Sequence, residues 1–393
     1  MPSPGYPAAH AVAPVVHAHF AKHIAAARLR DGSLRQEAPD PADIEAIIDA
    51  AFWASLRREE GFTPKISLAL LPPVLALHPL RFERALPLSP ASLVKVAPAV
   101  ERAGIHLGIW HDDGVLKVWG TTRTIPTFCF VLEVAAPGLL VVKHHRGEVG
   151  KFVNVAVLEG EQVKIIDEQA SSLPDCPELL VSMLGFDGSD QRSNATSSSN
   201  VLVQLAVSMR AHNRGGILLV VPPDSDTWQA SIVRPVSYSV APAFPALAAL
   251  VRNQPPDPRG PLKPGSPEDD DLRVWQDELE DTVSWIAGLT AVDGAAVITS
   301  TYEVLAFGAK IARREGHPLV ERVAVTEPIE GASSDVVHPT RLGGTRHLSA
   351  AQFVQDQQSA LALVASQDGR FTVFAWSPCE AMVHAHRVET LLL

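Results

Sequence analysis

At 393 residues the chain exceeds a typical single domain, and 46% hydrophobic with 20% charged residues mark a folded globular protein, not a disordered one. A net charge of −11 excludes a broad basic surface for DNA, although a phosphate pocket needs only one or two cations. Cys129, Cys176 and Cys379 lie far apart without CxxC spacing, and no apolar run nears the roughly 20 residues of a membrane span, so the sequence predicts a cytoplasmic chain without disulfides, thiolate zinc or membrane contact.

The first helix signal is Asp40-Pro41-Ala42-Asp43, followed by Ile44, Ile47, Ile48, Ala51 and Phe52 at helical spacing up to about Leu56. From Ile105 the period changes. Apolar runs at 105–110 and 115–119 flank Asp112-Asp113-Gly114, a tight-turn sequence, and further strand-like runs follow at 128–134, 138–142 and 152–158. These predict an α+β N-terminal domain over residues 1–195 with an antiparallel sheet. The polar stretch 187–200 reads as a loop ending in a helix cap, which sets the boundary near residue 195.

A second domain, 196–393, then opens with Val201, Leu202, Leu205 and Met209 on one helical face. Gly215-Gly216 stops that helix, and 217–221 reads as a buried strand. Residues 253–271 hold six prolines and a string of acids and are expected to form an exposed insertion. Leu272, Trp275, Leu279, Val283 and Ile286 define the next helix, 272–289.

Three segments carry candidate chemistry. Asp293-Gly294-Ala295 places an acid and a glycine at the mouth of an apolar strand, where a carboxylate can hold a hard cation and a glycine admits a ligand to the backbone; the same residues also suit an ordinary turn. Gly343-Gly344-Thr345-Arg346-His347 offers free amides, a hydroxyl and a planar cation before a helix start, which fits a phosphate cradle or a surface loop with a solvated arginine. Gln367-Asp368-Gly369-Arg370 is a hairpin turn with Ser366 at the strand end.

In this order the segments resemble the diadenylate cyclase domain, over roughly residues 198–393. The resemblance implies a central mixed β-sheet flanked by helices. It implies that Asp293 serves a metal, Mg²⁺ or Mn²⁺, and that Gly344, Thr345, Arg346 and His347 contact nucleotide phosphates. The chain departs from that family's pattern at Leu348, where a second arginine is usual, and at Gln367-Asp368, where a Glu-Glu pair is usual. Binding survives such losses better than catalysis does, because catalysis depends on contacts that strengthen in the transition state.

The pattern is similar to the sensor-type branch called DACNV, linked to bacterial signalling and defence. The expected function is therefore nucleotide or cyclic-dinucleotide binding through Asp293, Gly294, Ala295, Gly343, Gly344, Thr345, Arg346, His347 and Ser366, with an effector protein or a second copy as partner. The alternative is an active diadenylate cyclase, making cyclic di-AMP from two ATP with Asp293 and Asp368 serving the catalytic metal.

Three histidine groups are read as structural. His17-Ala18-His19 and His384-Ala385-His386 would each pair on one face of an extended strand, but no third ligand stands nearby in sequence. Lys143-His144-His145-Arg146 reads as a solvated basic turn.

Overall fold

The computed structural model describes residues 5–30, 36–58, 61–76, 79–102, 104–145, 152–166, 195–255 and 266–392. The chain divides into two compact units, Met1–Ile166 and Asp167–Leu392. Both are mixed α/β, in agreement with the expected fold class. Cys176, Asn194 and the prolines between 256 and 265 lie outside the described residues, as does most of the stretch where the boundary was expected.

Unit 1 contains the helices α1 (Pro7–Arg30), α2 (Pro41–Ser55) and α3 (Pro90–Val96). Its strands are β1 (Ile66–Leu70), β2 (Leu80–Pro87), β3 (His106–Asp112), β4 (Val115–Thr122), β5 (Phe130–Ala136), β6 (Leu139–His145), β7 (Phe152–Glu159) and β8 (Gln162–Ile165). The α2 start is as the sequence predicts: Asp40 is the N-cap, and its side chain accepts from the Ala42 amide. Asp113 and Gly114, with φ of 53° and 77°, make the turn between β3 and β4.

The sheet runs β2-β4-β3-β1-β5-β6-β7-β8, and it is mixed where an antiparallel sheet was expected. β1 and β3 run parallel because β2 and α3 intervene and carry the chain back to the same end. Helix α1 was not anticipated. Val12, Val16, Phe20 and Ile24 recur every fourth residue and are buried against the sheet, but alanines between them blur the pattern. The basic segment at Lys143 is also not a turn: Lys143, His144 and His145 belong to β6, and Lys143 and His144 are buried.

Unit 2 contains α4 (Ala195–Ala211), β9 (Gly216–Val221), β10 (Tyr238–Phe244), α5 (Ala246–Arg252), α6 (Pro267–Leu289), β11 (Ala295–Thr299) and β12 (Val304–Ala309). It continues with β13 (Val323–Thr326), β14 (Asp335–Val337), α7 (Thr345–Asp356), β15 (Leu361–Ala365), β16 (Phe371–Ser377) and β17 (Met382–Arg387). The sheet order is β10-β12-β11-β9-β15-β16-β17-β13-β14.

Strand β9 is buried along its whole length, with Leu218 and Val220 packed towards the layer of α4, α5 and α6 and Ile217, Leu219 and Val221 towards α7. Covering both faces explains why 217–221 reads as an unbroken apolar run. Helix α6 begins at Pro267, not at 272 as expected. A proline suits the first helical position, and Asp270 at the end of the first turn complements the helix dipole.

Both sheets are irregular at an edge. β2 shifts register against β4 between Arg81 and Leu86, and β10 shifts against β12 between Ser239 and Phe244.

Candidate functional site

Register brings the sequence-predicted segments to one end of the unit 2 sheet. Ala295 of β11 lies opposite Ile217 of β9, and Gly216 of β9 lies opposite Ala365 of β15. Asp293, Gly215 and Ser366 therefore stand at the same end of three adjacent strands. Helix α7 packs over β15 and β16, and its amino end meets this edge: Arg346 Nη2 lies 3.5 Å from the Arg214 carbonyl oxygen, to which it donates. Gln367 Nε2 donates to the same oxygen at 3.3 Å.

Gly215 suits this position by its backbone, and it also leaves room for the arginine. Its φ is +70°, and a Cβ would lie 2.8 Å from Arg346 Nη1. Arg346 is thus laid across the chain just before β9 with its guanidinium still exposed. Gly344 is the N-cap of α7 and makes no side-chain cap; the His347 amide donates to the Gly344 carbonyl at 3.1 Å, which leaves the amides of the exposed Thr345 and Arg346 uncapped. The turn after β15 completes the rim. Ser366 and Arg370 exchange a backbone hydrogen bond of 2.9 Å, and Asp368 lies 3.4 Å from the Arg370 guanidinium.

The remaining predicted residues hold supporting positions. His347 is buried, meets Phe374 edge-on, and sets its Nε2 3.4 Å from Thr372 Oγ1. Burial, more than any neighbour, keeps His347 below the ordinary histidine pKa; Asp368 opposes this, while Arg370, Arg346 and Arg387 add to it. Its ring fills the space that a Cβ on Gly343 would need. Leu348 packs half-buried against the core beneath α7, which accounts physically for an apolar residue at that position.

Asp293 stands apart from the arginines. Its side chain is 92% exposed and lies 3.5 Å from Lys310 Nζ. Gly294 has φ +115°, and a Cβ there would lie 2.5 Å from the Gly308 carbonyl carbon, so this glycine admits a neighbouring strand, β12, to the backbone. Ala295 is buried in β11. Asp293 belongs to no group of three or more ligating side chains among the described residues. A Mg²⁺ or Mn²⁺ ion there would depend on phosphates brought by a ligand.

A concavity of about 370 Å³ lies at the opposite end of β9, where Val221, Ser300, Gln358 and Trp376 are among its walls. No charged side chain lines it. Phosphate chemistry is therefore better served at the Arg346 end.

Sequence reading did not anticipate Arg214, whose carbonyl supports both Arg346 and Gln367, because that contact spans 132 residues. It also missed a cluster in unit 1 formed by His19, His23 and His144. The available signal was the four-residue spacing of His19 and His23, which one helical face brings together, whereas the i, i+2 spacing of His17 and His19 matters only in a strand. The His384 and His386 pair does lie on one strand, with ring centroids 5.8 Å apart, and each ring has a partner: Glu380 at 2.9 Å for His384, Thr326 at 2.7 Å for His386.

Residues 33–123 match the family model described as Probable sensor domain DACNV. The DACNV segment lies in unit 1, from before α2 through β4, whereas the sequence resemblance rests on residues 198–393 of the other unit. The sensor assignment therefore attaches to unit 1. No curated protein matches the chain. A crystal structure described as that of a hypothetical membrane spanning protein from Bacillus cereus aligns at 15% identity and a TM-score of 0.24, covering 48% of this chain and 62% of that one. So loose an overlap fixes neither fold nor function. Among the described residues, no helix is long and apolar enough to cross a membrane.

Proposed function

We propose that the chain is a nucleotide or cyclic-dinucleotide sensor in bacterial signalling or defence, whose unit 2 holds ligand phosphate at the amino end of α7. The observation that carries this reading is Arg346. It occupies the second position of a helix that no side chain caps, its fork lies against the Arg214 carbonyl, and its outer face meets solvent. Uncapped amides and a pre-positioned guanidinium are the two ingredients of phosphate capture by a helix N-terminus. The DACNV segment in unit 1 supports the sensory part of the reading.

Cyclisation of ATP draws less support from the geometry, since Asp293 is solvent-exposed beside Lys310. An enzyme would need that carboxylate to hold metal in a water-excluded site.

The test is a thermal-shift screen of the whole protein against ATP, GTP and cyclic dinucleotides with and without Mn²⁺, followed by calorimetry with whichever binds. Arg346→Ala is expected to weaken binding by about 1.5–3 kcal/mol, the worth of a hydrogen bond to a charged group, which is roughly 10- to 150-fold. Arg346→Lys keeps the charge but not the fork and should recover only part of the loss. Unchanged affinity in folded Arg346→Ala would remove the site. Formation of cyclic di-AMP at about 1 per second or faster would make the protein an enzyme instead.

A further inference from the structure

Unit 1 holds a second arrangement of chemically active side chains, unrelated to phosphate. Helix α1 carries His19 and His23 one turn apart on the same face, and β6 presents His144 towards them. One ligand atom from each of the three lies within 4.8 Å of the others, and no other group of three or more His, Cys, Asp or Glu side chains converges in this way among the described residues. Ring centroids are 4.2 Å apart for His19 and His23, and 5.8 Å apart from His144 to each of them.

The surroundings are apolar. Phe128 stacks on His144 at 5.4 Å, and Phe20 meets the His19 and His144 rings at 6.2 and 5.8 Å. His19 Nε2 is buried without a hydrogen-bond partner, which a folded protein tolerates poorly unless something else satisfies the atom. His144 Nδ1 lies 3.4 Å from the His145 carbonyl oxygen; an N–H donated there leaves Nε2 as the ligating atom, as outer partners commonly do for metal-bound histidines.

Three imidazoles without a carboxylate do not suit Mg²⁺ or Ca²⁺, which take oxygen ligands, but do suit zinc and its neighbours. Tetrahedral zinc with Zn–N bonds of about 2.0–2.1 Å needs nitrogens roughly 3.3 Å apart. Side-chain rotation can supply the contraction, because His19 and His23 are only half-buried. All three residues lie outside the DACNV segment, at 33–123, so the match says nothing about them.

We propose that His19, His23 and His144 bind one zinc-class divalent transition-metal ion, tying α1 to β6 and leaving a fourth coordination position for water or an outside ligand. Three-ligand sites with an open fourth position are the usual form of reactive, as opposed to purely structural, zinc.

The experiment uses the full-length protein without a polyhistidine tag, stripped with a chelator. Zn²⁺ is titrated against a chromophoric competitor, and Co²⁺ by visible absorption. One equivalent per chain, a tetrahedral Co²⁺ spectrum and a Zn²⁺-dependent rise in Tm are expected, with no rise from Mg²⁺. Losing a direct ligand should cost more than the roughly 10- to 100-fold typical of outer partners, so His19→Gln and His23→Ala should each weaken Zn²⁺ by about 100-fold or more. His10→Ala, on the same helix but outside the cluster, should bind as the unaltered protein does. His23→Ala replaces a half-buried ring and keeps the test decisive if His19→Gln fails to fold. Sub-stoichiometric binding, or full affinity in folded His23→Ala, would overturn the site.

Discussion

Burial of histidine is a recurring cost in this chain, and it sets an acid limit. Burial is the first cause that lowers His106 to about 4, with Glu133 opposing and His145 and Lys143 assisting; it also lowers His386 to about 3, assisted by His384, and holds His347 below its usual value. In the unfolded chain each of these rings gains a proton near pH 6.5, while the native protein leaves His106 and His386 neutral until much lower pH. The unfolded state therefore binds more protons below about pH 6.5, and stability falls as pH drops towards about 4; above 6.5 these rings contribute no slope. His106 and His386 each add up to about 1.4 kcal/mol per pH unit within that window, and His347 acts in the same direction. Urea unfolding at steps from pH 7.5 to 4.5 should show a plateau and then a decline, and His386→Asn should make the decline shallower. A stability that rises on acidification would contradict the burial of these rings.

At the level of elements, the glycine beside Asp293 separates architecture from ligand contact. Gly294 combines a left-handed φ with a backbone approach to Gly308, and Tyr238 stacks on Phe307 at 4.7 Å next to that approach. Gly294→Ala is therefore expected to destabilise unit 2 by about 1–3 kcal/mol while the folded fraction keeps its affinity at Arg346, as Tm and calorimetry would report. Unaltered Tm would mean that the strands can part.

Legibility followed the same division. Helix α2 and the β3–β4 hairpin were readable because their signals are local: a capping Asp40 before spaced isoleucines, and Asp113-Gly114 between apolar runs. The helix start at Gly344 and Thr345 was readable for the same reason. Strand β2 was not, since most of its side chains are exposed and show no alternation. The parallel pairing of β1 with β3, the Arg214 carbonyl beneath Arg346 and the convergence of His144 on α1 all depend on contacts distant in sequence.

For the molecule as a whole, each unit has its own core. The buried apolar residues of Met1–Ile166 cluster among themselves, from Tyr6 and Phe20 through Leu158. A fragment ending at Ile166 is thus expected to unfold cooperatively, with near-ultraviolet dichroism from its ordered aromatic rings; a non-cooperative transition would mean that its core is completed elsewhere. Strand order among the described residues leaves β2, β8, β10 and β14 at the borders of the two sheets. Such borders offer unpaired amides and carbonyls on which a further chain could grow. Here β8 has four residues and β14 three, while β2 carries Arg81, Glu83 and Arg84 and β10 contains Pro242, which has no amide hydrogen to give. With both longer borders also bulged, a strand from another molecule that approaches these four edges meets short pairing length, charge, a missing donor or a broken register, which disfavours edge-to-edge growth of the described sheets at high concentration.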